Sequence, residues 1–282
     1  MRIDSHHHIW DLSVRNQSWI SGEAMQPIRR NFNMTDLREA MAGANIEKTI
    51  LVQTVTDYAE TPELLELATK DELIAGVVGW LQIDAPDAIE HLREYLDLPG
   101  AEYLKSIRDI AQDHPDSNYL GKSETISNVR KLGDFGIAYD LLTKTPELAG
   151  ATALVKACPD VQFIMDHISK PYIAKGEMEP WKTLISDLAK LPNVVCKVSG
   201  LVTEANWYGW KREDFLPYIN HLLEIFTPDR LMFGSDWPVA TLGGSYLEIV
   251  KLAEDLTFGL SPSEMDAFWS RTAISAYGLE DS

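Results

Sequence analysis

Met1-Arg2-Ile3-Asp4-Ser5-His6-His7-His8-Ile9-Trp10-Asp11 reads as a first β-strand that carries three imidazoles. Side chains alternate across a strand, so a regular strand here puts Asp4, His6 and His8 on one face and Ser5, His7 and Ile9 on the other. Two histidines are thereby aimed together. Neutral imidazole is a common ligand for zinc and similar ions, and a pair at i, i+2 can point both rings at one ion or one substrate. The run is only three histidines long, lies between Ile3 and Ile9 and follows an aspartate, unlike the remnant of a purification tag.

Working outward from that strand, apolar and often β-branched runs recur along the chain, each followed by a segment of helical pattern. Strands are expected near Ile3–Ile9, Thr49–Val55, Ile74–Ile83, Tyr103–Arg108, Gly136–Leu142, Val161–Ile168, Val194–Leu201 and Arg230–Asp236. Helices are expected at Thr35–Ala42, Pro62–Lys70, Pro86–Leu96, Ser123–Lys131, Pro146–Cys158, Glu179–Ala189, Glu213–Phe226 and Ser245–Asp255, with a last one after Ser261. Pro62, Pro86 and Pro146 stand at helix starts, where a missing N–H is tolerated. Strand and helix alternating eight times predicts one α/β domain over residues 1–282, a (β/α)8 TIM-type barrel. An open doubly wound sheet is the competitor, but no glycine-rich phosphate loop follows the first strand.

Composition agrees with a barrel enzyme. The chain has 282 residues, 45% of them hydrophobic, enough for a large core. Lys plus Arg number 25 against 43 Asp plus Glu, a net charge of −18, which argues against nucleic acid because phosphate binding needs a basic footprint. Two unpaired cysteines, Cys158 and Cys196, indicate neither a disulfide framework nor a cysteine zinc site. The absence of a long apolar run or a signal-like start predicts no membrane partner and a cytoplasmic location. The sequence leaves open whether the chain forms an oligomer.

Active sites in this barrel lie at the C-terminal strand ends, so polar residues there converge. The first end offers His6 and His8; the fourth Lys105, Arg108 and Asp109; the fifth Tyr139 and Asp140; the sixth Asp166 and His167. The seventh offers Lys197 and Ser199, and the eighth Ser235, Asp236 and Trp237. His6, His8, His167 and Asp236 together make a metal set with an open position. Each alone also has an ordinary structural use: His167 as a core histidine, Asp236 as a loop cap. Aromatic residues near strand ends, Tyr139, Trp207 and Trp237 foremost, are candidate substrate contacts, although such residues also anchor loops. Lys197 inside a barrel needs a partner, and pairing with a carboxylate is favoured over facing a substrate.

Five stretches give the chain a family resemblance: residues 3–11, Lys105-Ser106-Ile107-Arg108, Asp166-His167-Ile168-Ser169-Lys170-Pro171, Cys196-Lys197-Val198-Ser199-Gly200-Leu201 and Met232-Phe233-Gly234-Ser235-Asp236-Trp237-Pro238. In this order they resemble the amidohydrolase superfamily, in particular its sugar-lactone hydrolase branch. The resemblance implies that His6 and His8 are the family's first-strand pair, His167 its sixth-strand histidine and Asp236 the aspartate that activates water. It implies that Arg108 holds the substrate's carbonyl or carboxylate. Where the family often has Gly-Ile-Arg-His, this chain has Ser106-Ile107-Arg108-Asp109, which is expected to bring a carboxylate near the arginine. No carbamylated-lysine pattern is evident, so one ion is expected rather than two, with zinc foremost. Members of the branch also work without an ion, the histidines then making hydrogen bonds.

The leading expectation is hydrolysis of an L-fuconolactone-like or L-rhamnonolactone-like aldonolactone, with Asp236 as base and with Arg108, His167 and the metal or the other histidines around the reacting carbonyl. A metal-dependent decarboxylase of the same superfamily is the alternative reaction. A non-catalytic sugar-acid binder is the reading from another class, since fold does not fix function.

Overall fold

The computed structural model describes residues 1–280, so the last two residues of the range 1–282, Asp281 and Ser282, lie outside the described residues. Eight strands form one parallel sheet in sequence order: β1 Ile3–His7, β2 Lys48–Val52, β3 Ile74–Gly79, β4 Leu104–Ile107, β5 Ala138–Leu141, β6 Phe163–Met165, β7 Val194–Val198 and β8 Leu231–Phe233. The sheet closes on itself. Asp236 N donates to His6 O at 2.8 Å and His8 N to Trp237 O at 2.7 Å, which joins the two outer strands. The principal outer helices are α1 Met34–Ala40, α2 Glu60–Ala68, α3 Ala88–Leu96, α4 Ser123–Asp134, α5 Leu148–Ala157, α6 Trp181–Ala189, α7 Arg212–Ile225 and α8 Tyr246–Leu256. Two short ones follow, α9 Pro262–Asp266 and α10 Thr272–Tyr277. The (β/α)8 barrel expected from the sequence is the fold.

Alternation along the strands sorts residues into two cores. Ile3, Ile50, Val52, Val78, Ala138, Ile164, Val195 and Met232 come from seven strands and pack together with Ala273, Ala276 and Tyr277 of α10. Residues from so many strands can meet only inside the barrel, so α10 plugs its floor. The larger core, including Leu51, Val77, Ile107, Leu141 and Phe163, lies between the strands and the helices. No helix among the described residues is long and apolar enough to cross a membrane.

Two expectations are corrected. Strand β6 ends at Met165 and β8 at Phe233, short of the expected Ile168 and Asp236, because the chain turns into left-handed backbone at His167 and Asp236. The first strand is also irregular. Asp4 pairs with Thr49 and His7 with Leu51, so Ser5 and His6 together face the single residue Ile50. Such a bulge shifts the alternation by one residue. Asp4 therefore leaves the histidine face and accepts hydrogen bonds from Tyr246 Oη of α8 at 2.9 Å and from Ser235 N at 2.8 Å. It ties β1 to the eighth βα unit and takes no part in a metal set.

Candidate active site

His6 and His8 flank the end of the bulged strand and converge as expected. His8 Nδ1 lies 2.8 Å from Val52 O, and only an N–H can satisfy a carbonyl, so in the neutral ring the lone pair is on Nε2. That nitrogen is 3.1 Å from His6 Nε2. His7 faces the opposite way, its Nε2 3.0 Å from Thr49 Oγ1. Its Nδ1 is buried without a partner.

Burial pushes the His7 imidazole down to about 3, with the neighbouring His8 acting in the same direction. A histidine depressed in the fold has its stabilising, neutral form in place above the unfolded value near 6.5. The protein is therefore expected to lose stability as pH falls from about 6.5 toward about 3. The variant His7→Gln should flatten that part of the profile in denaturant unfolding. An unaltered slope would mean that His7 is solvated in the fold.

His167 sits in an unusual backbone. His167, Ile168, Ser169 and Lys170 all have positive φ, at 52°, 49°, 58° and 45°. Each non-glycine residue held left-handed costs about 1–2 kcal/mol, so the turn persists only because its surroundings fix it. Trp181 Nε1 donates to Ile168 O at 2.7 Å, Ser169 Oγ bonds Thr143 Oγ1 at 2.7 Å, and Lys170 N donates to His167 O at 2.8 Å. The imidazole is held by Ser199 Oγ, 2.8 Å from Nδ1. Gly200 (φ +62°) lies against the ring, and a Cβ there would stand 2.8 Å from Nδ1. We expect Gly200→Ala to displace the ring and lower turnover about 10-fold, with about 1–2 kcal/mol lost in thermal unfolding. Unchanged turnover would show that the ring has room to move.

Asp236 also adopts positive φ (58°), which carries its carboxylate over the barrel axis. Its Oδ1 is 3.6 Å from His8 Nε2, 3.8 Å from His167 Nε2 and 4.0 Å from His6 Nε2. Burial works against the charge, but His167, His8 and Lys170 outweigh it and hold the carboxyl below its ordinary value. His167 is lowered to about 4, by burial first, and burial likewise holds His6 well down, so the ionised carboxylate stands beside two neutral rings.

A fully buried charge layer lies beneath. Lys197 Nζ donates to Asp140 Oδ2 at 2.6 Å, contacts Asp166 Oδ1 at 2.9 Å and reaches His6 Nδ1 at 3.1 Å. Arg108 Nη1 donates to Asp166 Oδ2 at 2.9 Å and lies 3.5 Å from His6 Nε2, while Nη2 donates to Gln53 O at 2.6 Å. Tyr277 of the floor helix donates to Asp140 Oδ2 at 2.8 Å. Two cations face two carboxylates, so the layer is neutral as a whole. Lys197 thus pairs with carboxylates, the arrangement favoured from the sequence. Burial pushes the Asp140 carboxyl up, whereas Lys197 and His6 overcome burial at Asp166 and hold its carboxyl well down.

Other expected residues lie elsewhere. Tyr139 is fully buried with its ring edge-on to Phe163 in the layer between sheet and helices, so it is no substrate contact. Its neighbour Asp140 takes the inward position, and adjacent strand residues cannot both face the axis. Trp237 is only 3% exposed and packs edge-on to Phe32, which makes it a loop anchor. Trp207 is half-buried on the loop after β7, its Nε1 donating to Thr203 O at 2.9 Å. Asp109 is not a carboxylate turned toward the arginine. It accepts from Trp80 Nε1, Ile110 N, Ile83 N and Tyr119 Oη at 2.9, 2.8, 3.0 and 2.5 Å, and thereby pins the loops after β3 and β4. Sequence reasoning placed Asp140 and Asp166 at strand ends without seeing that they bracket Lys197. The signal was a lysine at an inward strand position.

The donor set fits a single divalent ion. His6, His167 and Asp236 offer ligand atoms within 4.8 Å of one another, and His8 Nε2 adjoins them. Ligands about 2.1 Å from a tetrahedral ion stand roughly 3.4 Å apart, close to the separations here. Two rings also have the outer partner expected of a metal-bound imidazole, Val52 O for His8 and Ser199 for His167, while His6 Nδ1 lies 3.1 Å from Lys197 Nζ and 3.3 Å from Asp166 Oδ1.

Comparison with known proteins places these features in context. The amidohydrolase family model matches residues 3–279. The chain is 34% identical over its full length to an L-fucono-1,5-lactonase of Burkholderia multivorans, covering 97% of it. It is 32% identical to the L-fucono-1,5-lactonase of Burkholderia ambifaria, with 87% of this chain and 83% of that one aligned. A crystal structure of a B. multivorans amidohydrolase with bound zinc superposes with a TM-score of 0.91 at 34% identity, over 99% of this chain and all of the other.

Proposed function

The chain belongs to the amidohydrolase family, and on that premise we propose that it hydrolyses the ring ester of a sugar lactone to the sugar acid. The observation that carries this reading is the Asp236 carboxylate, ionised and 3.6–4.0 Å from three imidazole nitrogens at the mouth of the barrel. Water beside Asp236 gives its proton to the carboxylate as its oxygen attacks the lactone carbonyl. Arg108, with donors left after serving Asp166 and Gln53, stabilises the oxygen that gains charge. The carbonyl re-forms, the bond to the ring oxygen breaks, and Asp236 returns the proton to that oxygen. Water and lactone become a hydroxy acid with no other reactant.

His6, His8, His167 and Asp236 would hold one ion, for which zinc is the first choice given the zinc-bound relative; bound there it would polarise the carbonyl and lower the pKa of water. The substrate class follows from the L-fucono-1,5-lactonases at 34% and 32% identity, and an L-fuconolactone-like aldonolactone comes first. A net charge of −18 does not oppose a neutral lactone and favours departure of the anionic product. Free, buried Cys158 and Cys196 suit a reducing cytoplasm.

Acid release from five- and six-membered aldonolactones, followed with a pH indicator with and without chelator, tests the reading. We expect release well above the spontaneous rate for at least one sugar lactone, lost with chelator and restored by zinc. Chelator-resistant turnover would assign the carbonyl's stabilisation to the protein's own donors, Arg108 foremost. No release from any member of the panel would refute the lactonase reading.

A further inference from the structure

Two oppositely charged side chains at the mouth of the barrel have no partner. Glu204 ends the short turn Val202–Glu204 after β7, and Lys170 ends the left-handed turn that carries His167. Both are half-buried. Neither side chain has a hydrogen bond or ion pair among the described residues. By contrast, Lys144 and Asp113 beside them are satisfied by each other at 2.6 Å.

The direction of Glu204 follows from what it faces. The charges that act on it belong to Lys170, Lys144, Asp236 and Asp113. These stand on the loops after β6, β5, β8 and β4. Glu204 is half-buried on the turn after β7, and charges on four other strand-end loops act on it together when the side chain leans toward the mouth of the barrel. Lys170 acts in turn on both His167 and Asp236, which places it at the same opening. Its position is fixed by the constrained turn rather than by an ion pair.

A carboxylate and an ammonium that influence each other yet stay unpaired are suited together to a group that donates and accepts at once. A hydroxyl does both, and adjacent hydroxyls on a ring do so twice. The geometry points to Glu204 and Lys170 as the subsite that holds the ring hydroxyls of the substrate, Glu204 accepting from one hydroxyl and Lys170 donating to it or to its neighbour. This assignment rests on the sugar-lactone reading and adds to it the residues that select a polyhydroxylated ring. Burial without a partner pushes the Glu204 carboxyl up, as expected for a charge whose counterpart arrives with the ligand.

Unreactive lactams test the subsite by binding rather than by turnover. Calorimetric titration of the full chain with a polyhydroxylated six-membered aldonolactam and with bare δ-valerolactam gives a ratio of affinities. We expect about 100-fold preference for the hydroxylated ring in the parent protein, reduced about 10-fold or more in Glu204→Ala and in Lys170→Met. Because neither side chain has a partner in the fold, both variants should unfold near the parent's temperature. A parent that does not discriminate, or a preference that survives both substitutions, overturns the assignment. Lactone hydrolysis on the same preparations separates the two claims. Discrimination that depends on Glu204 without any hydrolysis refutes the reaction and supports the subsite; hydrolysis with a preference indifferent to both residues refutes the subsite alone.

Discussion

Asp236→Asn is expected to lower kcat by at least about 10²-fold, the scale of a lost general base, while leaving the fold nearly as stable as before. The substitution is close to a clean removal of basicity. Asn keeps the size and a hydrogen-bonding carbonyl, and with Asp and Gly it is among the residues that best tolerate the left-handed backbone found here at φ 58°. The backbone bond from residue 236 N to His6 O at 2.8 Å, which closes the barrel, is untouched. What is lost is the negative charge 3.6 Å from His8 Nε2 and 3.8 Å from His167 Nε2, and with it the acceptor for the proton of water. Turnover of a sugar lactone and thermal unfolding, measured on one preparation, check both halves. Near-normal kcat would remove Asp236 as the base; a large fall in unfolding temperature would mean that its charge serves the fold instead.

The barrel was legible because a buried parallel strand reads as an apolar run and a helix follows each one. What failed was local. A turn of four non-glycine residues in left-handed backbone has no propensity signal, so β6 and β8 were extended through His167 and Asp236 as if still paired. The bulge at Ser5 and His6 was equally silent, and it moved Asp4 to the helix side. The misplacement of Tyr139 was avoidable, because it adjoins the inward Asp140 within β5 and period-two alternation forbids both from facing the axis. Asp109 lies past the end of β4, where alternation no longer decides direction. Glu204 and Lys170 lie on turns beyond the strand ends, where sequence periodicity says nothing about direction.

The charge layer beneath the site predicts the second large effect. Lys197→Met keeps much of the aliphatic volume but removes one of two cations that face Asp140 and Asp166 in a fully buried layer. Breaking such a pair from one side leaves an uncompensated buried charge, and the loss is expected at about 3–5 kcal/mol in denaturant unfolding at neutral pH. Adding Asp140→Asn should recover part of it, since the orphaned charge goes with it. The pH dependence separates this cause from a packing defect. Burial already pushes the Asp140 carboxyl up, with Lys197 the main force opposing it. Without Lys197 the group lies higher still, and a carboxyl raised in the fold favours the folded state below its unfolded value near 3.9 and loses that advantage as pH rises through its folded value. The gap between parent and variant should therefore be widest near neutrality and narrow as pH falls and Asp140 takes up a proton. A gap independent of pH, and unmoved by the second substitution, would mean that the lysine stem rather than its charge holds the barrel together. Activity should fall with the same substitution, because Lys197 Nζ stands 3.1 Å from His6 Nδ1 and the ring would lose the group that supports it from beneath.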